Sequence, residues 1–226
     1  MMSCFLTKRD FTAWIAGLLM LMLNAHFSIA AEQTGIYQQR TLATVDQDVS
    51  ALGLKDCPSI QALDDAHYLA VCRTTDSKVA SSLSLFLIDA RQSGKKAILF
   101  HSKDFGDAYY VKTTVFSKGQ GQGSEFILAE SGAESSYGVQ VYTLDGSKLR
   151  RVGAIAEVLD NEGEAGSVLP ALQIRDHGPT VMFSFTNPVM VPDRQGNYAE
   201  VAPEQVRYIL DGLKLRRVTG HPKKLR

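Results

Sequence analysis

The sequence is poor in tryptophan and cysteine and has no excess of charge of either sign. Its one tryptophan, Trp14, lies in an N-terminal apolar run, so the rest of the chain has none to stack on a sugar ring. This disfavours a lectin, although Tyr109, Tyr110 and Tyr137 remain available for stacking. The chain carries 24 Lys and Arg against 24 Asp and Glu. Because nucleic-acid binders have a basic excess or a basic face, we expect no nucleic-acid partner.

Sequence motifs of the common catalytic and metal sites are missing as well. Residues 134–138 lack the leading glycine of a serine-hydrolase elbow, and no helical pattern follows them. Residues 119–123 lack the Lys-Ser/Thr of a phosphate loop and are predicted to be a flexible hairpin loop. The histidines after residue 30 are scattered, without a second ligand at metal-helix spacing. The sequence therefore assigns no catalytic residue and no cofactor.

One long apolar run is present, at the N-terminus. Lys8 and Arg9 precede the apolar residues 11–23, and the small residues Ser28 and Ala30 follow. This pattern is typical of a secretory signal peptide, so we predict a signal peptide over residues 1–30 and a periplasmic or secreted protein after cleavage. The alternative is an uncleaved membrane anchor. The run reaches the roughly twenty residues of a spanning helix only by including polar positions.

The two cysteines after residue 30, Cys57 and Cys72, are predicted to form a disulfide, as expected of an even count in an exported protein. The sequence also indicates a hairpin, with strands over 59–63 and 66–72 and a turn at 64–65. In that register, positions that sum to 129 face each other, which places Cys57 opposite Cys72. The alternatives are two buried thiols or a metal pair with His67 as the only nearby further ligand.

An internal repeat indicates the fold class. Residues 142–152 read YTLDGSKLRRV and residues 208–218 read YILDGLKLRRV, each a strand, a turn around Asp-Gly and a return strand. Extending these copies backwards, with a fainter third copy, gives units at about 59–100, 111–152 and 171–218. We predict a single all-β domain over 31–226, built from three tandem four-stranded antiparallel units.

The closure of these units has two alternatives. One is a partial or open β-propeller-like array, completed by a strand at 36–45, by a second copy of the chain or by a partner. The other is a β-trefoil. Residues 126–129 are apolar without alternation, so this strand is expected to be covered on both faces. The basic residues of the repeated hairpins are expected to protect an edge strand.

Three long loops are the predicted binding elements, because long loops on a rigid sheet commonly carry function. They span residues 75–82, 133–138 and 186–203, and we expect them to cluster on one face. The candidate binding residues within them are Ser135, Tyr137, Asn187, Pro188, Met190 and Tyr198.

An acidic stretch lies between the second and third units. Asp160, Glu162 and Glu164 stand at alternate positions, as oxygen ligands do in calcium loops, and Glu157 precedes them. The stretch lacks the Asp-rich start and the distal Glu of an EF-hand. We expect a solvated acidic loop, with a calcium site as the weaker alternative.

These observations favour an exported, non-catalytic binding or scaffolding protein whose partner is a protein or a cell-envelope component. A homo-oligomer that completes the repeat array is a further expectation. One alternative is a hydrolase of cell-wall or sugar polymers that uses a carboxylate pair from Glu130, Glu134 and Asp160. The other is an inhibitor of an exported enzyme that inserts the 186–203 loop.

Overall fold

A computed structural model describes residues 35–74, 82–91, 96–119, 124–193, 195 and 197–219. All of them belong to one compact unit, Gly35–Arg226. The predicted signal peptide and its membrane-anchor alternative fall within residues 1–34 and so lie outside the described residues. Within the described ranges, no helix has the length and apolarity needed to cross a membrane.

Strands dominate these ranges, with three short 3-10 helices at Ser50–Leu52, Leu169–Ala171 and Pro203–Gln205. The fold is therefore all-β, as predicted. The strands are β1 (Ile36–Arg40), β2 (Ala43–Thr44), β3 (Lys55–Ala62), β4 (His67–Arg73), β5 (Leu83–Asp89), β6 (Ala97–His101), β7 (Tyr110–Ser117), β8 (Glu125–Gly132), β9 (Ser136–Asp145), β10 (Lys148–Ile155), β11 (Leu159–Asn161), β12 (Glu164–Gly166), β13 (Leu172–His177), β14 (Thr180–Phe185), β15 (Val189–Pro192), β16 (Tyr198–Val201), β17 (Val206–Asp211) and β18 (Lys214–Thr219).

These strands form two large sheets and two small hairpins. The larger sheet has nine strands in the order β10-β9-β8-β7-β1-β13-β14-β17-β18, and the second has five in the order β2-β3-β4-β5-β6. Strands β11 and β12 form one separate hairpin, and β15 and β16 form the other. All of the pairings are antiparallel.

Each predicted unit is a four-stranded meander: β3 to β6, β7 to β10, and β13, β14, β17 and β18. The structure differs from the predicted tandem array in how the units are joined. Strand β1 pairs with both β7 and β13, so the second and third units share one sheet, while β2 joins the first unit. The 36–45 segment thus contributes a strand to each sheet. Neither propeller-like nor trefoil closure is confirmed by this arrangement, and both remain predictions.

The two repeated hairpins lie at opposite ends of the nine-stranded sheet, which curls until its end strands β10 and β18 approach each other. In both hairpins a glycine, Gly146 or Gly212, starts the turn at positive φ (58° and 57°), as a type II′ turn requires. Gly153 permits the close approach of the ends, since a Cβ there would overlap the Leu215 side chain. The result is a nearly closed barrel.

A buried carboxylate bridges the two end strands. Glu157, just beyond β10, accepts a hydrogen bond from the Tyr208 hydroxyl at 2.5 Å and forms an ion pair with Arg217, whose Nε lies 2.9 Å from a carboxylate oxygen. Tyr208 and Arg217 belong to β17 and β18, so this contact ties the two ends of the sheet together. Burial, and then the charge of Glu157, raise the pKa of Tyr208 far above its ordinary value.

Within the described part of the chain, three apolar clusters hold the sheets together. The first fills the interior of the nine-stranded sheet, the second lies between that sheet and the five-stranded sheet, and the third lies under residues 45–54 on the outer face of the five-stranded sheet. Phe126 and Leu128 belong to the first cluster, whereas Ile127 and Ala129 belong to the second. This confirms that the strand at 126–129 is covered on both faces.

Arg40, at the end of β1, links the two sheets. Its Nη1 donates to the Leu63 carbonyl at 2.9 Å, and its Nη2 lies 3.1 Å from both carboxylate oxygens of Glu125. Nearby, the Thr113 hydroxyl of β7 donates to the Gln61 side-chain oxygen of β3. Polar contacts therefore position the five-stranded sheet beside the second apolar cluster.

Cys57 and Cys72 form the predicted disulfide, but the predicted register is wrong. Ser59 pairs with Val71 and Ala62 with Tyr68, so opposing positions sum to 130 there. The sum falls to 128 at Lys55, because a bulge at 56–58 inserts extra residues into β3. Asp56 takes positive φ (47°) in this bulge, which brings Cys57 to Cys72.

The turn between β3 and β4 is longer than the predicted two residues, and His67 organises it. The Asp64 carboxylate accepts from the amides of Ala66 and His67 at 2.7 and 2.8 Å and from His67 Nδ1 at 2.8 Å. Arg91 Nη2 lies 2.7 Å from His67 Nε2. Because a guanidinium only donates, Nε2 accepts and Nδ1 carries the proton. His67 is thus a buried structural residue, and both of its ring nitrogens have partners.

We expect Asp64→Asn to lower stability at neutral pH but not in acid. Burial raises the pKa of Asp64, but hydrogen bonds from His67 and Ala66 outweigh it and hold the pKa below the ordinary 3.8. A lowered pKa stabilises the fold above the unfolded-state value, and this contribution is lost as pH falls through the folded-state value. Because the carboxylate is 53 % exposed, the loss at neutral pH is expected to stay below about 1 kcal/mol.

Urea unfolding of the wild type and Asp64→Asn across an acid series tests this, with the exposed neighbour changed in Asp65→Asn as the control. For Asp64→Asn the difference from wild type should shrink towards zero as the pH falls through the lowered folded-state pKa of Asp64. A difference that stays constant with pH would contradict the role given to the Asp64 charge.

Candidate functional site

A cleft at one end of the nine-stranded sheet joins two of the predicted binding loops to the acidic stretch. We call it the rim cleft; its volume is about 380 Å³. Its walls come from the loop before β9, the β11–β12 hairpin and the β15–β16 hairpin. The lining residues are Glu134, Ser135, Val158, Asp160, Gly163, Glu164, Ala165, Met190 and Tyr198.

The acidic stretch is a tight hairpin. Asn161 pairs with Glu164 across a two-residue turn at Glu162 and Gly163, both of which have positive φ (55° and 92°). The Asp160 carboxylate accepts from the Gly163 amide at 2.8 Å and so stabilises the turn. The hairpin places Asp160 and Glu164 along the cleft, whereas Glu162 stands at its tip and does not line it.

The long loop of the third unit is ordered by a hairpin of its own. Val189 is buried in the first apolar cluster, and Met190 exchanges backbone hydrogen bonds of 2.8 and 3.2 Å with Val158. At the tip, the Asp193 carboxylate accepts from the amides of Gln195 and Asn197. The base of this loop therefore packs on its own domain, and Met190 and Tyr198 reach the cleft from β15 and β16.

The loop before β9 is held from beneath by close packing at Gly132. A Cβ at this position would overlap both the Ser135 carbonyl oxygen and the Tyr110 phenol ring. Burial raises the pKa of Tyr110, the negative charge of Glu130 adds to the rise, and a hydrogen bond with Ser136 opposes it. Gly132 and Tyr110 thus fix the backbone that carries Glu134 and Ser135 into the cleft.

The surroundings of the rim cleft combine aromatic rings with carboxylates. Tyr198, in the cleft, is 44 % exposed, and Tyr137 and Tyr109 beside it are 47 % and 76 % exposed. Partial loss of hydration raises the pKa of Tyr137, and the charges of Asp107 and Glu134 add to the effect. No lysine or arginine is among the lining residues that the structure describes. This surface is electronegative and rich in exposed rings.

The structure brings Ser135, Met190, Tyr198, Asp160 and Glu164 together around one cleft, with Tyr137 close by. Asn187 and Pro188 are exposed but do not line it. Most of the first predicted loop, residues 75–81, lies outside the described residues. Among the residues that are described, no group of three or more His, Cys, Asp and Glu could hold a metal ion, so the calcium alternative gains no support.

The carboxylates named for a hydrolase separate into two environments. Glu134 and Asp160 line the rim cleft, whereas Glu130 is buried beneath it and accepts from the Ser167 hydroxyl at 2.8 Å. Sequence reasoning missed Val158, which forms part of the lining. Its only signal is its place just before the acidic stretch, and nothing there predicts the bridge to Met190.

Comparisons of the chain with models of known protein families, with curated proteins and with solved structures find no match.

Proposed function

We propose that this protein is an exported, non-catalytic binding protein whose ligand site is the rim cleft. Export rests on the N-terminal signal-peptide pattern. The observation that supports the site is the convergence of two loops and an acidic hairpin around one concave surface. The charged residues among its described lining are all carboxylates, namely Glu134, Asp160 and Glu164. The repeat units, which we propose are blade-like copies, supply the rigid frame.

The chemistry of the lining favours a partner protein that presents basic side chains. A lysine or arginine entering the cleft would meet carboxylates on the Glu134 and Glu164 walls, and the ring of Tyr198 offers a cation–π contact. Met190 and Val158 provide apolar surface for the aliphatic stem of such a side chain. A cell-envelope component with free amino groups would be recognised by the same chemistry.

The test is capture of a partner by the tagged full-length protein from the exported fraction of its own organism, at low and at moderate salt. We expect one stoichiometric partner, whose retention falls at least tenfold in Glu134→Gln/Glu164→Gln and weakens with salt. The control Glu162→Gln/Glu204→Gln removes the same charge from exposed positions outside the lining and should behave as wild type. An intact mass that corresponds to a chain beginning near Ala31 or Glu32 would support export.

Two outcomes would contradict the proposal. Equal loss of the partner in both double variants would show that the partner responds to the overall charge of the protein and not to the rim cleft. Recovery of the protein alone, together with no binding of a decalysine peptide, would remove the binding function. The hydrolase alternative, with Glu134 and Asp160 as its carboxylates, would then take precedence and substrate screens would follow.

A further inference from the structure

A second cleft lies on the outer face of the five-stranded sheet, and it has the opposite charge. We call it the outer cleft; its volume is about 920 Å³. This volume falls within the range of small-molecule sites, roughly 300–1,000 Å³. Its lining includes Lys55, Arg73, Ser84, His101, Lys103 and Asp104.

Cationic side chains dominate the outer cleft. Lys55, Arg73 and Lys103 are exposed along it, whereas Asp104 is the one carboxylate of the lining that the structure describes. Lys55 and Arg73 are register partners on β3 and β4. The described lining therefore offers an anion three cationic residues against one carboxylate.

The second observation is a buried hydroxyl without a partner. Ser84 is 1 % exposed, and its Oγ makes no hydrogen bond. Among the described residues the only other such side-chain atom is Arg40 Nε. A buried polar group left unpaired is unfavourable, because it has lost its hydrogen bonds to water without gaining one in the protein. Ser84 belongs to the lining of the outer cleft, so an acceptor atom of a bound ligand would supply the missing partner.

The cleft has a rigid aromatic wall. The His101 imidazole stacks on the Phe86 ring, with 4.4 Å between centroids and 11° between planes. Ser84 and Phe86 point to the same face of β5, and Cys72, the register partner of Ser84, is held by the disulfide. The backbone around the unpaired hydroxyl is therefore fixed before any ligand arrives, which lowers the entropic cost of binding.

From these observations we propose that the outer cleft binds a phosphate-bearing ligand. Lys55 and Lys103 neutralise the phosphate charge, and the Ser84 hydroxyl donates to a phosphate oxygen that reaches the cleft floor. Phosphate groups supply the several acceptor oxygens and the negative charge that this lining lacks. They could come from a soluble phosphorylated molecule or from lipid headgroups, and the test distinguishes these sources.

Isothermal titration calorimetry of the full-length protein with inorganic tripolyphosphate tests the first source. Sedimentation with vesicles containing phosphatidic acid tests the second. We expect 1:1 binding of tripolyphosphate, weakened at least tenfold in Lys55→Gln/Lys103→Gln and by salt. The control Lys148→Gln/Lys214→Gln removes two exposed lysines from the repeated hairpins, away from the outer cleft, and should bind as wild type.

Ser84→Ala separates a ligand contact from a structural role. Removing an unpaired buried hydroxyl should leave the unfolding midpoint unchanged or raised, while binding weakens several-fold. Binding to vesicles alone, lost in Lys55→Gln/Lys103→Gln, would assign the phosphate to headgroups. Binding to neither probe, or equal weakening in the two lysine double variants, would overturn the proposal. Wild-type affinity in Ser84→Ala would overturn the assignment of the Ser84 hydroxyl as a donor to the phosphate.

Discussion

Glu157→Ala is expected to lower the free energy of unfolding by about 2–3 kcal/mol, because it leaves the buried Tyr208 hydroxyl without its charged acceptor. Glu157 is 1 % exposed, accepts from the Tyr208 hydroxyl and pairs with Arg217, whose side chain is 37 % exposed. Its removal leaves the Tyr208 hydroxyl without this acceptor and unties the two ends of the nine-stranded sheet. Glu157→Gln keeps an acceptor for Tyr208, so its effect should be smaller, about 1–2 kcal/mol.

The measurement is urea unfolding, combined with hydrogen exchange of the β10 and β18 amides. In Glu157→Ala the exchange of these amides should accelerate relative to wild type, and by more than that of the β4 and β5 amides. The reason is that the contact between β10 and β18 opens before the five-stranded sheet unfolds. Arg216→Gln, at the exposed neighbour of Arg217, is the control and should stay within about 0.5 kcal/mol of wild type. A loss below 1 kcal/mol in Glu157→Ala, with unchanged exchange, would show that Glu157 does not hold the barrel closed.

Glu157 also shows where sequence reasoning ends. It lies in a stretch of acidic residues that, by composition, predicts a solvated loop. Asp160, Glu162 and Glu164 are exposed as expected, but Glu157 is buried. Its partners lie on β17 and β18, far along the chain. Only the curling of the sheet brings them together, and a local pattern carries no information about that.

The strands were predictable for the opposite reason. Alternation, turn residues and a repeated hairpin are local signals, and every strand of the three units is present in the structure. The apolar pattern of 126–129 also indicated that this strand is covered on both faces. What could not be predicted was the role of β1, whose residues Tyr37 and Gln38 pair with different units. A short strand bears no mark of which edge it will join.

The rim cleft could be predicted from the sequence only in part. The loops at 133–138 and 186–203 were identified by length and turn residues, and they do meet. The acidic hairpin that completes the cleft lies between the second and third units, so the repeat pattern could not place it beside them. Asn187 and Pro188 belong to the predicted loop but not to the cleft, because burial of Val189 turns the chain at that point.

Loss of the disulfide is the second large expected effect: Cys57→Ser should lower the free energy of unfolding by about 2–4 kcal/mol without abolishing folding. The bond closes a loop with a sequence separation of 15 residues, worth about 3 kcal/mol in the chain-entropy model. Cys72 is fully buried in the third apolar cluster, whereas Cys57 is only partly buried at the border of that cluster. Cys72→Ser should therefore lose more than Cys57→Ser, because it also buries a hydroxyl among apolar side chains.

Reduction provides the matched control for these variants. Adding a reductant should destabilise the wild type by about as much as Cys57→Ser does, and should leave Cys57→Ser itself unchanged. Denaturant titrations with and without reductant measure both effects. An intact mass of the alkylated, non-reduced protein that shows Cys57 and Cys72 as free thiols would contradict the bond directly. The larger loss in Cys72→Ser would then have to come from the buried hydroxyl, and Cys72→Ala should recover most of it, since alanine places no polar group at the buried position.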